Sequence, residues 1–223
     1  MNGIELARNE TEKDLGILID TKLQFSRHIA EKVNKANSIA GLIRRSFKSL
    51  DKYLFRILFT TVVRPIIEYG SQIWSPMKMS DRIALENVQR RATKMIPGFK
   101  HLSYEERLKE LDLPTLSYRR ARSDMVETFK IIRNHYDDIL CQDMYQMREA
   151  STTRGHNLKL FQKQGRLEIR RHSFLFRTVP VWNSLPSEVV NAPSAYSFKS
   201  RLDKAWQNCE LKFNYLANVP GIR

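Results

Sequence analysis

The chain has 223 residues and a net charge of +14, from 38 Lys and Arg against 24 Asp and Glu. This length makes one large domain or two small ones, and it buries roughly 70% of the unfolded surface, so the fold needs no disulfide. The two cysteines, Cys141 and Cys209, lack metal-ligand spacing and exclude a disulfide-rich secreted scaffold, so we expect two reduced thiols. The positive charge favours a polyanionic partner, because basic chains bind phosphates by releasing condensed counterions.

The sequence predicts an intracellular protein, nuclear or cytoplasmic, that does not enter a membrane. Charged residues from Glu5 to Asp14 occupy the region where a signal peptide needs an apolar run. The most apolar stretch, residues 53–74, contains Arg56 and Glu68, which would be costly in lipid. We therefore expect no secretion and no membrane span.

A β-hairpin is predicted at the N-terminus. Short apolar runs at residues 4–8 and 15–19 flank the polar residues 9–13, the pattern of two strands joined by a loop. Two strands alone are marginal in water, so this hairpin must fold back on the rest of the chain or leave an exposed strand edge. We predict that residues 1–20 are loosely held and favour aggregation, while the body from Phe25 folds independently.

From Phe25 onward the periodicity is helical, and five helices are predicted before residue 140. Apolar residues recur at spacings of three and four, and each helix begins at a residue suited to its first turn. The residues predicted to begin these helices are Ser26, Asp51, Asp81, Ser103 and Thr115. The second helix is expected to continue past Pro65 with a kink, and Pro97-Gly98 to end the third.

The periodicity fades after residue 140, and residues 141–156 are predicted to form a loop at an internal boundary. Alternating apolar residues on both sides of Gln164-Gly165 predict a short hairpin over residues 158–169. Ser194 is predicted to cap a last helix. The predicted fold is mainly α: a helical bundle with an N-terminal β-hairpin and a small C-terminal hairpin-plus-helix region.

No catalytic residue, metal site or cofactor is predicted. Tyr136-Asp137-Asp138 approaches the polymerase motif in which two aspartates hold metal ions, but its spacing is one residue short because His135 occupies the aromatic position. It also ends a helical pattern, so we interpret it as a surface helix terminus. The five histidines lack ligand spacing, and the scattered glycines form no phosphate-binding loop.

Basic side chains cluster on three predicted helices and in residues 154–177, which hold seven Lys or Arg against one acid. Aromatic residues interleave there, an arrangement that can hold phosphates and bases together. The alternatives are a solvated face with its aromatics turned inward and, at the end of the first helix, attraction of cations to the helix dipole. The candidate nucleic-acid contacts are Arg44, Arg45, Arg90, Arg91, Lys94, Arg119, Arg120, Arg166, Arg170 and Arg171.

Four segments occur in an order that points to one family. They are Lys13–Asp20, Arg64–Pro76, Val88–Lys94 and Trp182–Pro186. Together they resemble the end of a non-LTR retrotransposon reverse transcriptase of the jockey-like kind, an RNA-directed DNA polymerase. The resemblance begins after the family's catalytic aspartates, and its endonuclease and fingers have no counterpart here, so we expect a non-catalytic fragment or relic.

The resemblance implies a palm-remnant hairpin at residues 1–20, a thumb-like helical region at 21–140, a linker at 141–156 and a basic C-terminal region at 157–223. It implies RNA or an RNA/DNA hybrid as partner, and a polymerase palm and fingers in a longer parent protein. The alternative is a helical protein–protein interaction module that binds through residues 53–74 and has no nucleic-acid role. Salt dependence of binding discriminates between the two.

Overall fold

The computed structural model describes residues 9–136, 144–148 and 155–221, and these are mainly helical, as predicted. The strands are β1 Thr11–Asp14 and β2 Ile17–Asp20. The α-helices are α1 Ser26–Ser46, α2 Lys52–Leu58, α3 Arg64–Glu68, α4 Ser71–Trp74, α5 Met79–Ala92, α6 Tyr104–Leu111, α7 Leu116–Ile132, α8 Glu168–His172, α9 Phe174–Ser184, α10 Ser187–Val190 and α11 Ala195–Ala205. Short 3₁₀ segments are Thr93–Met95, Phe99–His101 and Glu210–Lys212.

The N-terminal hairpin is confirmed, but its predicted boundaries are wrong. Asp14 pairs with Ile17, so the chain reverses at Leu15 and Gly16. Both turn residues have positive φ, 44° and 80°, as a two-residue type I′ turn requires. The polar residues 11–13, expected in the loop, therefore belong to β1, while the predicted first strand lies outside the described residues.

The described part of the hairpin is docked on the helices. Ile17 is only 3% exposed and belongs to the same core as α1 and α5. The Leu18 N–H donates to His28 Nδ1 at 3.1 Å, and Lys32 Nζ donates to the Gly16 carbonyl at 3.0 Å. Of the two outcomes expected for the hairpin, the structure shows the one in which it folds back.

Helices α1 and α5 lie side by side and run in the same direction. At their N-terminal ends, Ser26 Oγ donates to Asp81 Oδ2 at 2.8 Å. Near their C-terminal ends, Ile43 and Ala92 line the same small cavity. The prediction that Ser26 caps α1 is wrong, because its hydroxyl faces α5 and Phe25 occupies the N-cap without a side-chain bond.

The long apolar segment continues as helix past Pro65, as predicted, but it is not a regular α-helix there. A π-helical turn at Phe59–Val63 separates α2 from α3 and ends two residues before the proline, whose missing N–H would break a regular α-helical ladder. Thr61 Oγ1 donates to the Ile57 carbonyl at 2.8 Å within the same stretch. The change of helix type therefore has a defined local cause, while the kink itself stays a prediction.

Helix α7 joins two apolar cores. Its first residue, Leu116, belongs to the core around α1 and α5, whereas Phe129 stacks on Phe198 of α11 in a second core with Trp182. The predicted C-terminal hairpin over residues 158–169 is wrong. The first half of this segment bonds to α9 and not to the second half, since the Leu160 N–H donates to Asn183 Oδ1 at 2.8 Å. The second half of the segment runs into helix α8, which begins at Glu168.

Candidate nucleic-acid interface

Five basic residues lie where α1 and α5 end together, and we call them the helix-end patch. They are Arg44, Arg45, Lys48, Arg91 and Lys94. All are exposed, and none forms an ion pair within the part of the chain that the structure describes. Because α1 and α5 are parallel, cations that are far apart in sequence share one end of the molecule.

The helix-end patch suits contacts with phosphates. The C-terminal ends of both helices carry partial negative charge, which favours cations there whether or not a ligand binds. These side chains are exposed, so a polyanion can engage them without first breaking an ion pair to another described residue. Contacts between these cations and phosphates carry no information on the base sequence, so the patch supports binding that does not depend on sequence.

Arg90 lies beside the patch in sequence but points inward. Its guanidinium is 5.1 Å from the ring centre of Tyr104 and 5.2 Å from that of Tyr215. Arg90 Nη2 also donates to Tyr215 Oη at 3.3 Å. The side chain thus tethers the C-terminal segment to α5 through cation–π contacts.

Arg119 is engaged in a two-bond ion pair with Glu68. Its Nε and Nη2 both donate to that carboxylate, the latter at 2.8 Å, and Arg64 Nε lies 3.6 Å from the same group. This ties α7 to α3. A phosphate at Arg119 would have to displace a bidentate carboxylate, the strongest geometry available to arginine.

A cavity of about 830 Å³ lies between α5, α7, α8, α9 and residues 211–219, and we call it the basic cavity. Its cationic lining residues are Arg82, Arg120, Lys163, Arg171 and Arg177. Asp124 is the acid among the lining residues, and it accepts from Arg177 Nε at 2.9 Å and Nη2 at 3.1 Å. Burial raises the pKa of Asp124, and Arg177 opposes that rise.

Arg120 is the most buried cation of the basic cavity, at 6% exposure. Burial lowers its pKa to about 10, so it remains charged at neutral pH. Burial also lowers the pKa of Arg82 and of His172, which leaves the histidine neutral near pH 7. The cavity therefore combines desolvated charge with a large opening.

The ten predicted contacts separate into three groups. Arg44, Arg45, Arg91 and Lys94 join the helix-end patch, and Arg90 and Arg119 are held by internal partners. Around the basic cavity, Arg120 and Arg171 line it, while Arg166 and Arg170 are exposed nearby on and before α8.

Sequence reasoning missed Arg82 as a member of a site, whereas Lys163 and Arg177 belong to the basic cluster 154–177 but were not among the ten predicted contacts. Arg82 lies in the first turn of a helix. Its position carries no local signal, because the cavity forms only when α5, α7 and α9 pack together. The buried carboxylate of Glu86 was missed for the same reason; it accepts from Tyr104 Oη at 2.6 Å.

No metal site or membrane span emerges from the residues that are described. They include no group of three or more potential metal-binding side chains. Asp137 and Asp138 of the polymerase-like motif lie outside the described residues, and Tyr136 donates from its hydroxyl to Glu127. Of the described helices, none has the length and apolar character that crossing a bilayer requires.

Comparisons with known proteins give one distant relative. An uncharacterized protein of Caenorhabditis elegans, B0403.1, is 24% identical over 128 residues, which cover 55% of this chain and 64% of that protein. The chain thus spans less than two thirds of that relative's length. No protein-family model and no solved structure matches the chain.

Proposed function

We propose that this chain is a non-catalytic nucleic-acid-binding module that holds RNA or an RNA/DNA hybrid through its phosphates. The helix-end patch is the observation that supports this best, because five exposed cations, none of them ion-paired within the described residues, lie where α1 and α5 end. Such a surface binds polyanions through counterion release, and the net charge of +14 adds long-range attraction.

The resemblance to jockey-like reverse transcriptases gives this module a context. In that reading the described helices correspond to the thumb and C-terminal region of an RNA-directed DNA polymerase, and a palm and fingers belong to a longer parent. Two of the resembling segments have structural roles here. Glu68 anchors α7 through Arg119, and Trp182 Nε1 and Asn183 Nδ2 donate to the carbonyls of Leu158 and Leu160.

Fluorescence anisotropy with labelled RNA, RNA/DNA hybrid and duplex DNA across a KCl series tests the proposal. Neutralising about six phosphates gives a log–log slope near −5 on duplex and a shallower slope on single strands. The double variant Arg91→Gln/Lys94→Gln should reduce the slope by about 2, because each cation that contacts a phosphate contributes about one.

The matched control is Lys199→Gln/Lys204→Gln on α11, which removes the same charge from exposed residues. The control should keep nearly the full slope. Equal losses in both variants would mean that net charge alone, and not the helix-end patch, drives binding. Absence of binding at low salt, or binding insensitive to salt, would refute the proposed function.

A second candidate function is supported by apolar residues left exposed in the segment 53–74. Tyr53 is 76% exposed, Tyr69 57% and Ile73 59%. Exposed aromatic and aliphatic side chains of this kind are enriched at protein interfaces. This interaction would persist at high salt, so the same KCl series separates it from nucleic-acid binding. Trp74 takes no part in such a surface because it is fully buried.

A further inference from the structure

Cationic side chains outnumber acids among the described residues that line the basic cavity. Five line it against the one carboxylate of Asp124, which is already engaged by Arg177, although Glu86 and Glu68 outside the lining also attract Arg120. Like charges enclosed in a partly desolvated space repel one another more strongly than on a surface. An anion in the cavity would remove this repulsion.

Two arginines of the cavity have unused hydrogen-bonding capacity. Arg120 Nη2 donates to Ser117 Oγ at 3.1 Å, whereas its Nη1 is buried without a hydrogen-bond partner. Arg82 is half-buried and forms no ion pair within the described ranges. Buried donors without acceptors are costly, and buried guanidinium groups most of all.

The rest of the cavity wall is a mixture of apolar and uncharged polar residues. The apolar lining residues include Pro76, Ala121, Met125, Phe176, Val181 and Leu211, and the uncharged polar ones include Ser75, Ser117, Gln162, Gln164, Thr178 and Tyr215. The volume of about 830 Å³ lies within the range of small-molecule sites. A ligand that fits this cavity has a strongly anionic end and a body that offers both apolar contact and hydrogen-bonding groups.

We propose that the basic cavity binds a nucleoside phosphate. Arg82, Arg120 and Arg171 hold the phosphate, whose oxygens match the two-pronged donor geometry of guanidinium groups. The nucleoside lies along the rest of the wall, where Phe176, whose ring has the Arg170 guanidinium 5.3 Å from its centre, supplies apolar contact. The nucleotide is either free or the terminal residue of a strand. This site does not include residues of the helix-end patch, so the test of the cavity and the test of the proposed function are independent.

Isothermal titration calorimetry of the full chain with adenosine monophosphate tests the proposal, with adenosine and inorganic phosphate as partial ligands. We expect the nucleotide to bind at least about tenfold more tightly than either part. Adenosine lacks the charge-assisted hydrogen bonds of the phosphate, and inorganic phosphate lacks the apolar contacts of the nucleoside. Adenosine binding as tightly as the nucleotide would overturn the phosphate assignment. Equal binding of inorganic phosphate would overturn the nucleoside assignment.

Variants of neighbouring arginines localise the site. Arg82→Gln should weaken nucleotide binding by about tenfold and Arg171→Gln by about fivefold. Arg166→Gln is the matched control, because Arg166 is also exposed, lies five residues before Arg171 and is not among the residues that line the cavity. Circular dichroism reports whether Arg82→Gln folds, and exposed Arg171 provides the test if it does not. Equal affinity of Arg171→Gln and Arg166→Gln would overturn the proposal.

Competition distinguishes the two sources of the ligand. A short single strand with a 5′-phosphate or a 5′-hydroxyl competes with labelled nucleotide in the Arg91→Gln/Lys94→Gln background, where strand binding at the helix-end patch is weakened. Displacement by the phosphorylated strand alone supports a strand end, and displacement by neither supports a free nucleotide. Equal displacement by both strands would overturn the site, because internal phosphates would then suffice.

Discussion

Acidification should weaken this fold through one buried histidine. His28 is 1% exposed, and its Nδ1 accepts a hydrogen bond from the Leu18 N–H at 3.1 Å. The ring is therefore neutral with its proton on Nε2, and it packs against Trp74 with ring centres 5.4 Å apart. Protonation of Nδ1 would break the bond that joins β2 to α1 and would place a charge in the core.

The size of this loss of folding stability follows from the pKa of His28. Burial, aided by the nearby Lys32, lowers this pKa from 6.5 to about 4 in the folded chain. Between pH 6.5 and pH 4 the unfolded chain therefore binds more protons at His28 than the folded chain does. The contribution of neutral His28 to stability is complete above pH 6.5 and is lost as the pH falls towards 4. A difference of 2.5 units corresponds to about 3 kcal/mol of unfolding free energy.

Urea denaturation followed by circular dichroism at pH 7, 5.5 and 4 measures this loss, given a two-state transition. The control is His28→Asn, whose side-chain oxygen can accept from the Leu18 N–H but does not titrate. Wild type should lose about 3 kcal/mol more than His28→Asn between pH 7 and pH 4. Parallel pH profiles in the two proteins would refute the reasoning, because other groups would then account for all of the acid sensitivity.

Three substitutions test other contacts, each by urea denaturation. Arg177→Met leaves the buried Asp124 carboxylate without its partner and should cost about 3–5 kcal/mol, part of which returns when Asp124→Asn is added; no recovery would argue against the ion pair. Gly70→Ala should cost more than Gly98→Ala, because both have positive φ but only at Gly70 would a new Cβ meet β2, at 2.8 Å. Ser103→Ala removes a capping box and should cost about 1 kcal/mol, so an unchanged stability would refute the cap.

Local chemistry explains which parts of the fold were predictable. Asp51, Ser103, Thr115 and Ser194 were predicted as helix caps, and each side chain accepts from a backbone N–H three residues later. Capping depends on a residue and its immediate neighbours, so the sequence contains the information. Ser26 has the same chemistry but bonds to Asp81, 55 residues away, because packing of α1 on α5 offers its hydroxyl a different acceptor.

Strand predictions depended on tertiary contacts. The polar run 11–14 forms a strand because the Leu15-Gly16 turn places it opposite 17–20, where main-chain pairing does not require apolar side chains. Conversely, the alternation over 158–169 did not form a hairpin. Asn183 and residues 146–148 supply the hydrogen bonds of its first half, and no local pattern shows this.

The fate of each predicted arginine also depended on distant residues. Arg90 and Arg91 are adjacent and chemically identical, yet Arg90 packs between two tyrosines and Arg91 is exposed. The decisive partner, Tyr215, lies 125 residues further along the chain. Helical periodicity indicates which face of α5 an arginine occupies, but it does not indicate what will cover that face.

The cations of the helix-end patch and those of the basic cavity differ in solvation, and this determines how each group should respond to salt. Cations of the helix-end patch are exposed, so their attraction to phosphates is screened over about 10 Å at 0.1 M salt. Arg120 and Arg82 in the basic cavity are largely removed from water, where screening ions penetrate poorly. Strand binding at the patch should therefore weaken steeply with KCl, while nucleotide binding in the cavity weakens less. One salt series with both ligands thus separates the two sites without any substitution.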